Sequence, residues 1–213
     1  MNLKSIFSNL ISKYSPNEIS KTDYWQEIEK SYSQKSRQDH NLNHLENMIL
    51  ELEEVKDRIS DYDSILFSIF YHDIIYKETS KDNEEKSAEL AKTRLEKLNI
   101  SNEKISNIYN QILATKSHKK SENPDTNFLL DADLAILGQD WKIYENYTQQ
   151  IRKEYSIYPD FMYKPGRKKV LIHFLEFEEI FKTDYFKEKY EEKARENIQQ
   201  ELEIIYPSNK NSL

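Results

Sequence analysis

Glycine occurs only twice in this chain of 213 residues, and proline five times. Hairpin turns draw on glycine or Asn-Gly pairs for positive φ, so a chain this poor in glycine has little means of folding strands back on one another. The prolines stand at positions 16, 124, 159, 165 and 207. They fall between stretches of helical periodicity rather than inside them. The expectation is an all-α protein with helices near 2–14, 20–34, 41–59, 62–77, 83–98, 102–117, 126–138, 140–157, 167–182 and 184–206. In the first of these, Leu3, Ile6, Phe7, Leu10, Ile11 and Tyr14 form one stripe, read as a helix packed on the body, with a helix lying on a membrane surface as the alternative. The stretch 62–77 is apolar nearly all round, as expected of a central buried helix. In the last, Phe186, Tyr190, Ala194, Ile198, Leu202 and Ile205 form the apolar stripe. Nothing resembles a linker, so a single domain is expected, with a core over about 37–140, an N-terminal helical extension over 1–36 and C-terminal helices over 141–206. The tail 208–213 is expected to fray.

Apolar residues make up 37% of the chain, enough for a core, and the surface must then be heavily charged. With 31 basic and 38 acidic residues the formal charge is −7. That argues against a general nucleic-acid or anionic-membrane binder, while leaving room for a local basic pocket. Cysteine is absent, so disulfides, iron–sulfur clusters and thiolate zinc sites are excluded. The N-terminal stretch has no continuous apolar core of a signal peptide, and nothing approaches the ~20 apolar residues of a membrane span. A cytoplasmic protein is expected.

The polar interruption of the apolar stretch is the pair His72-Asp73. Burying a carboxylate beside an imidazole is costly without compensation. A metal ion compensates when further His and Asp side chains can reach the same point. Such residues are present: His40 and His44 upstream, His118, Asp131 and Asp133 downstream. His40 and His44, four apart, would share a helix face. Asp39 and Asn41 nearby could orient their rings. His72 and Asp73 would point about 100° apart on a helix, so they would present two ligands to a metal held between helices.

In this order the residues resemble the HD superfamily of metal-dependent phosphohydrolases: an upstream His, a His-Asp doublet at His72-Asp73, and a distal Asp. Leu130-Asp131-Ala132-Asp133-Leu134 is similar to the family's Ala-Asp-x-Leu segment, which points to Asp133 as ligand and Asp131 as its neighbour. His40-Asn41-Leu42-Asn43-His44 is similar to the His-Asn-x-x-His motif of cyclic-nucleotide phosphodiesterases. That match implies His44 as ligand and His40 as general acid; alignment on the His-x-x-x-Val form would make His40 the ligand instead. Residues 37–138 are also similar to a group of small uncharacterised predicted HD phosphohydrolases, through Tyr71-His72-Asp73 and the run Asp82-Asn83-Glu84-Glu85-Lys86-Ser87-Ala88. The resemblance implies an HD-type helical bundle holding one or two divalent ions (Mn, Fe, Co, Ni, Zn or Mg) through His44, His72, Asp73 and Asp133. It implies hydrolysis of a phosphoester in a nucleotide or other small phosphorylated metabolite by metal-activated water.

Four further sites are weighed on their own residues. Asp82 and Glu85 suggest a capping box, which would turn Glu84 inward with Ala88, Ala91 and Leu95, where it could orient a nucleophile. His118 ends a helix and could cap it, bind a second metal, touch phosphate or, in place of His40, act catalytically by protonating the leaving oxygen. The basic run Lys164-Pro165-Gly166-Arg167-Lys168-Lys169 offers Arg167 and Lys168 to phosphoryl oxygens, with Arg152 at the same mouth. His173 reads as a core histidine. Two other classes remain in view: an HD-fold di-iron oxygenase, which needs a richer histidine set, and a non-catalytic metal- or ligand-binding module. The expected partner is a small phosphorylated substrate, without nucleic acid or membrane; self-association is left open.

Overall fold

The structure is a computed structural model that describes residues 1–15 and 18–207. Pro16, expected between the first two helices, and the fraying expected over 208–213 lie outside the described residues. Among those described, all regular structure is helical: ten α-helices, two short 3-10 turns and no strand. No helix among them is long and apolar enough to cross a membrane. Two compact units divide the chain, Met1–Asp133 and Leu134–Leu213.

The first unit holds α1 (Leu3–Ser12), α2 (Glu18–Tyr32), α3 (Leu42–Glu53), α4 (Tyr62–Tyr71), α5 (Asn83–Leu95), α6 (Asn102–Ala114) and most of α7 (Pro124–Leu134). Short polar residues start several of them. The side chains of Asn2, Asn41, Asp61 and Ser101 accept from the backbone N–H of Ser5, Asn43, Ser64 and Lys104, pairing donors that a helix start leaves open. α4 is the core, with every residue from Ser64 to Tyr71 buried. α1, α3, α5 and α6 pack against it. α1 buries Leu3, Phe7, Leu10 and Ile11, and the Phe7 ring meets Phe70 edge-on at 4.9 Å. Asp61 also binds the Lys104 ammonium at 2.6 Å. Asp125 accepts from the N–H of Ser60 and Asp61 at 2.9 and 2.8 Å. These contacts tie the starts of α4, α6 and α7 together.

α4 ends at Tyr71, six residues before the expected boundary at 77. The reason is non-local. Between Asp73 and Lys77 one N–H, that of Ile74, still donates to α4, at the Tyr71 carbonyl, and side chains take up most of the other backbone groups. The Asp73 N–H donates to the Tyr32 hydroxyl at 3.1 Å. Arg37 donates to the carbonyls of Asp73 at 2.6 Å and Ile74 at 3.0 Å. Ser87 serves both backbone groups of Ile75, and the Asn83 amide both of Lys77. Local periodicity carries no trace of partners so distant in the chain.

The second unit holds α8 (Trp141–Glu154), α9 (Asp160–Glu176) and α10 (Asp184–Ile205), after a 3-10 turn over Ala135–Gly138. α9 starts seven residues earlier than expected, and Pro165 lies inside it. The missing N–H removes one bond, to the carbonyl of Phe161. Phe161 is 77% exposed, so water can serve that carbonyl instead. α10 buries Phe186, Tyr190, Ala194 and Ile198, and also Asn197 and Glu201. Asn197 donates to the carbonyls of Leu137 and Gln139 at 2.8 and 2.7 Å. Gly138 lies so close to Tyr190 that a Cβ there would sit 2.8 Å from the ring carbons.

Candidate metal centre

Three helix ends in the first unit bring together His44, His72 and Asp133. His44 is in the first turn of α3, His72 follows the last residue of α4, and Asp133 is in the last turn of α7. Their donor atoms form a cluster able to hold a metal ion. His44 Nε2 is 3.3 Å from His72 Nε2 and 3.0 Å from Asp133 Oδ1, and His72 Nε2 is 3.8 Å from the same oxygen. Ligands at about 2.0–2.2 Å from one ion in tetrahedral or octahedral geometry stand roughly 3–3.5 Å apart, so the spacing fits. The donor set, two imidazoles and one carboxylate, suits the first-row divalent ions.

The tautomer of His72 suits the same task. Its Nδ1 is 2.9 Å from the Ile69 carbonyl, which can only accept, so Nδ1 carries a proton and Nε2 is the nitrogen that faces the cluster, its lone pair open to a metal once its own proton has left. Without a cation the cluster is held by charge. Burial opposes a proton on His72, but the Asp73 and Asp133 carboxylates outweigh it and push its pKa up to about 9. Burial opposes charge on Asp133 too, yet hydrogen bonds from His118 and His44 and the nearby His72 hold it well below the usual carboxylate range. Asp73 is lowered likewise, with His72 and His40 outweighing its burial.

Other expected residues surround this trio. The Asp73 carboxylate is beside it, 3.4 Å from His72 Nε2 and 3.9 Å from His40 Nε2. His40 precedes α3, is partly exposed, and stacks on Tyr76 with ring centroids 4.3 Å apart. His118 Nε2 lies 2.9 Å from Asp133 Oδ2, the oxygen that His44 does not use. His118 has φ 49, the one non-glycine residue in the left-handed region among those described. That turn brings its ring back to Asp133.

Asp131 is fully buried on the same helix, but the cluster takes in Asp133 and not Asp131. The capping box expected at α5 does not form. Asp82 makes no side-chain cap and instead engages Ser80 and Lys86, while Glu85 pairs with Lys116. Glu84 is half-exposed in the first turn of α5, with its charge felt by Lys116 rather than in the cluster. The basic residues lie in the second unit. Arg167 is buried and bidentate to Glu201 at 2.8 and 3.0 Å, with Tyr147 on its third nitrogen. Its fork, expected to clamp an anion, is thus taken by a carboxylate. Arg152 binds Asp160 and the carbonyls of Tyr155 and Tyr158, and the Lys168 ammonium sits over the Tyr206 ring. His173, expected in the core, is exposed against Phe177.

Sequence reasoning passed over Arg37 and Tyr32. Both are buried, and both grip the segment that carries Asp73. The one local hint was an arginine three residues before His40, inside the resembling stretch. Comparison with protein-family models, curated proteins and solved structures finds no match.

Proposed function

We propose that this chain is a metal-dependent phosphohydrolase of HD type, acting on a small phosphorylated molecule such as a nucleotide. The observation that carries this reading is the meeting of His44, His72 and Asp133 donor atoms at ligand spacing. It joins the resemblance seen in the order of His44, His72-Asp73 and Asp133. A divalent ion in such a site supplies charge that polarises a phosphoryl oxygen and lowers the pKa of water. The chain's own groups divide the rest. His118 holds Asp133 from the side opposite His44 and fixes the carboxylate plane. Asp73, kept anionic 3.4 Å from His72 Nε2, would join the trio in holding the ion, its lowered pKa suiting a ligand rather than a base. His40, partly exposed and stacked on Tyr76, delivers a proton to the leaving oxygen.

The test is metal analysis of the purified chain joined to a hydrolysis screen over nucleotides, cyclic nucleotides and phosphomonoesters. Bound divalent metal, with turnover lost in His72→Ala and Asp133→Asn, is the expected result. Retention of both metal and turnover in these variants would refute the assignment. Bound iron with O₂-sensitive visible absorption and no phosphoester turnover would move the reading to a di-iron oxygenase. Metal without any turnover would leave a binding module.

A further inference from the structure

Asp73 has no helix to hold it, and what holds it instead is built from Tyr32 and Arg37. Both backbone groups of Asp73 are taken by side chains. Its N–H donates to the Tyr32 hydroxyl at 3.1 Å, and its carbonyl accepts from Arg37 Nη1 at 2.6 Å. The same guanidinium reaches the Ile74 carbonyl at 3.0 Å and the His40 carbonyl at 3.4 Å. It also lies over the rings of Tyr32 and Tyr76, 4.9 and 5.5 Å from their centroids. One side chain therefore spans the segment that carries His40 and the turn that carries Asp73.

This is an expensive arrangement if stability were its only use. Arg37 is 5% exposed and its bonds go to neutral carbonyls, not to a carboxylate. Its Nε is buried without a partner among the described residues. A buried cation without a counter-ion, with one donor unmet, costs more than a well-packed apolar residue. What the guanidinium provides is geometry: a planar fork that fixes carbonyls at set angles, which an ammonium cannot copy.

We infer that Arg37 and Tyr32 are positioning residues for the metal centre, setting where the Asp73 carboxylate stands relative to His72 and where His40 stands relative to both. The inference rests on the metal-centre reading above. Neither residue touches a donor atom of the His44–His72–Asp133 cluster. They act through the Asp73 main chain, where a displacement of about 0.5 Å is enough to spoil a coordination geometry.

The experiment is a Co²⁺ titration of the full chain followed by visible absorption, for wild type, Arg37→Lys, Tyr32→Phe and Asp73→Asn, and for Arg37→Lys and Tyr32→Phe each combined with Asp73→Asn. Tyr32→Phe keeps the ring and removes only the hydroxyl, so it guards against a fold lost with Arg37. Arg37→Lys and Tyr32→Phe are each expected to weaken Co²⁺ binding by about tenfold or more and to change the band intensity. In the Asp73→Asn background neither should weaken it further, because the group they position is already disabled. Wild-type affinity and spectrum in Arg37→Lys and Tyr32→Phe would overturn the inference, as would full additivity with Asp73→Asn, which marks a general structural role. A wild-type chain that takes up no Co²⁺ would overturn the metal-centre reading itself, and this inference with it.

Discussion

Replacing Asp133 by Asn is the sharpest single perturbation of the cluster. The substitution keeps the side-chain shape and removes the one anion among the three candidate ligands. Asp133 meets His44 through Oδ1 at 3.0 Å and His118 through Oδ2 at 2.9 Å, so one change disturbs two contacts of the centre. A metal that binds the folded state alone, at a hundred times its Kd, stabilises it by about 2.7 kcal/mol. If Asp133→Asn weakens affinity a hundredfold, the same concentration gives about 0.4 kcal/mol. For a chain of this size each kcal/mol moves the Tm by roughly 2–4 °C. A metal-induced rise of roughly 5–11 °C in wild type should thus shrink to roughly 1–2 °C in the variant. Thermal melts followed at 222 nm, with and without metal, measure this. Each variant's metal-free melt is its own reference, so an altered fold stability cancels. Asp131→Asn should keep the wild-type rise whatever it does to the metal-free melt. If Asp133→Asn kept the full rise, the cluster would not be where the metal binds. If Asp131→Asn lost it, the wrong aspartate would have been chosen.

Three further outcomes are expected. In the metal-free chain, the stability that His72 draws from its carboxylate neighbours is complete below its ordinary pKa of 6.5 and fades as pH climbs to about 9. Metal affinity should rise across the same window, because the ligand form of imidazole is neutral; denaturant titrations and metal competition at pH 6, 7.5 and 9 check both signs. Arg167→Met leaves the Glu201 carboxylate buried without its bidentate partner and should lower unfolding stability by about 3–5 kcal/mol in urea titrations. Gly138→Ala drives a methyl into Tyr190 and should cost about 1–3 kcal/mol by the same assay.

Helix content was legible because its signals are local. Asn2, Asp61 and Ser101 stand where caps belong, and the buried positions of α1 repeat at helical spacing. The candidate site stood out at His72 for a similar reason: a polar doublet in an apolar stretch cannot be hidden. What escaped depends on partners distant in the chain. α4 stops early because Tyr32 and Arg37, 41 and 36 residues upstream of Asp73, take over its backbone. Arg167 looked like a free cation until Glu201, 34 residues on, occupied its fork. Pro165 looked like a boundary because propensity assigns the residue a cost without knowing that its helix face meets water. The choice between Asp131 and Asp133 needed the direction in which α7 turns its faces, which a two-residue spacing does not tell.

The left-handed backbone at His118 passes position 118 through two separate filters. The φ of 49 excludes β-branched and bulky residues on steric grounds and leaves glycine, asparagine, aspartate and histidine as comfortable occupants. The Asp133 carboxylate, 2.9 Å from the ring nitrogen, then rejects another anion and gains nothing from a missing side chain. Asparagine satisfies the backbone but brings an amide of shorter reach. The set of residues tolerated here is therefore very small, and most single-base changes of a histidine codon lead out of it. Mutational drift at this turn is checked by conformation before chemistry is consulted.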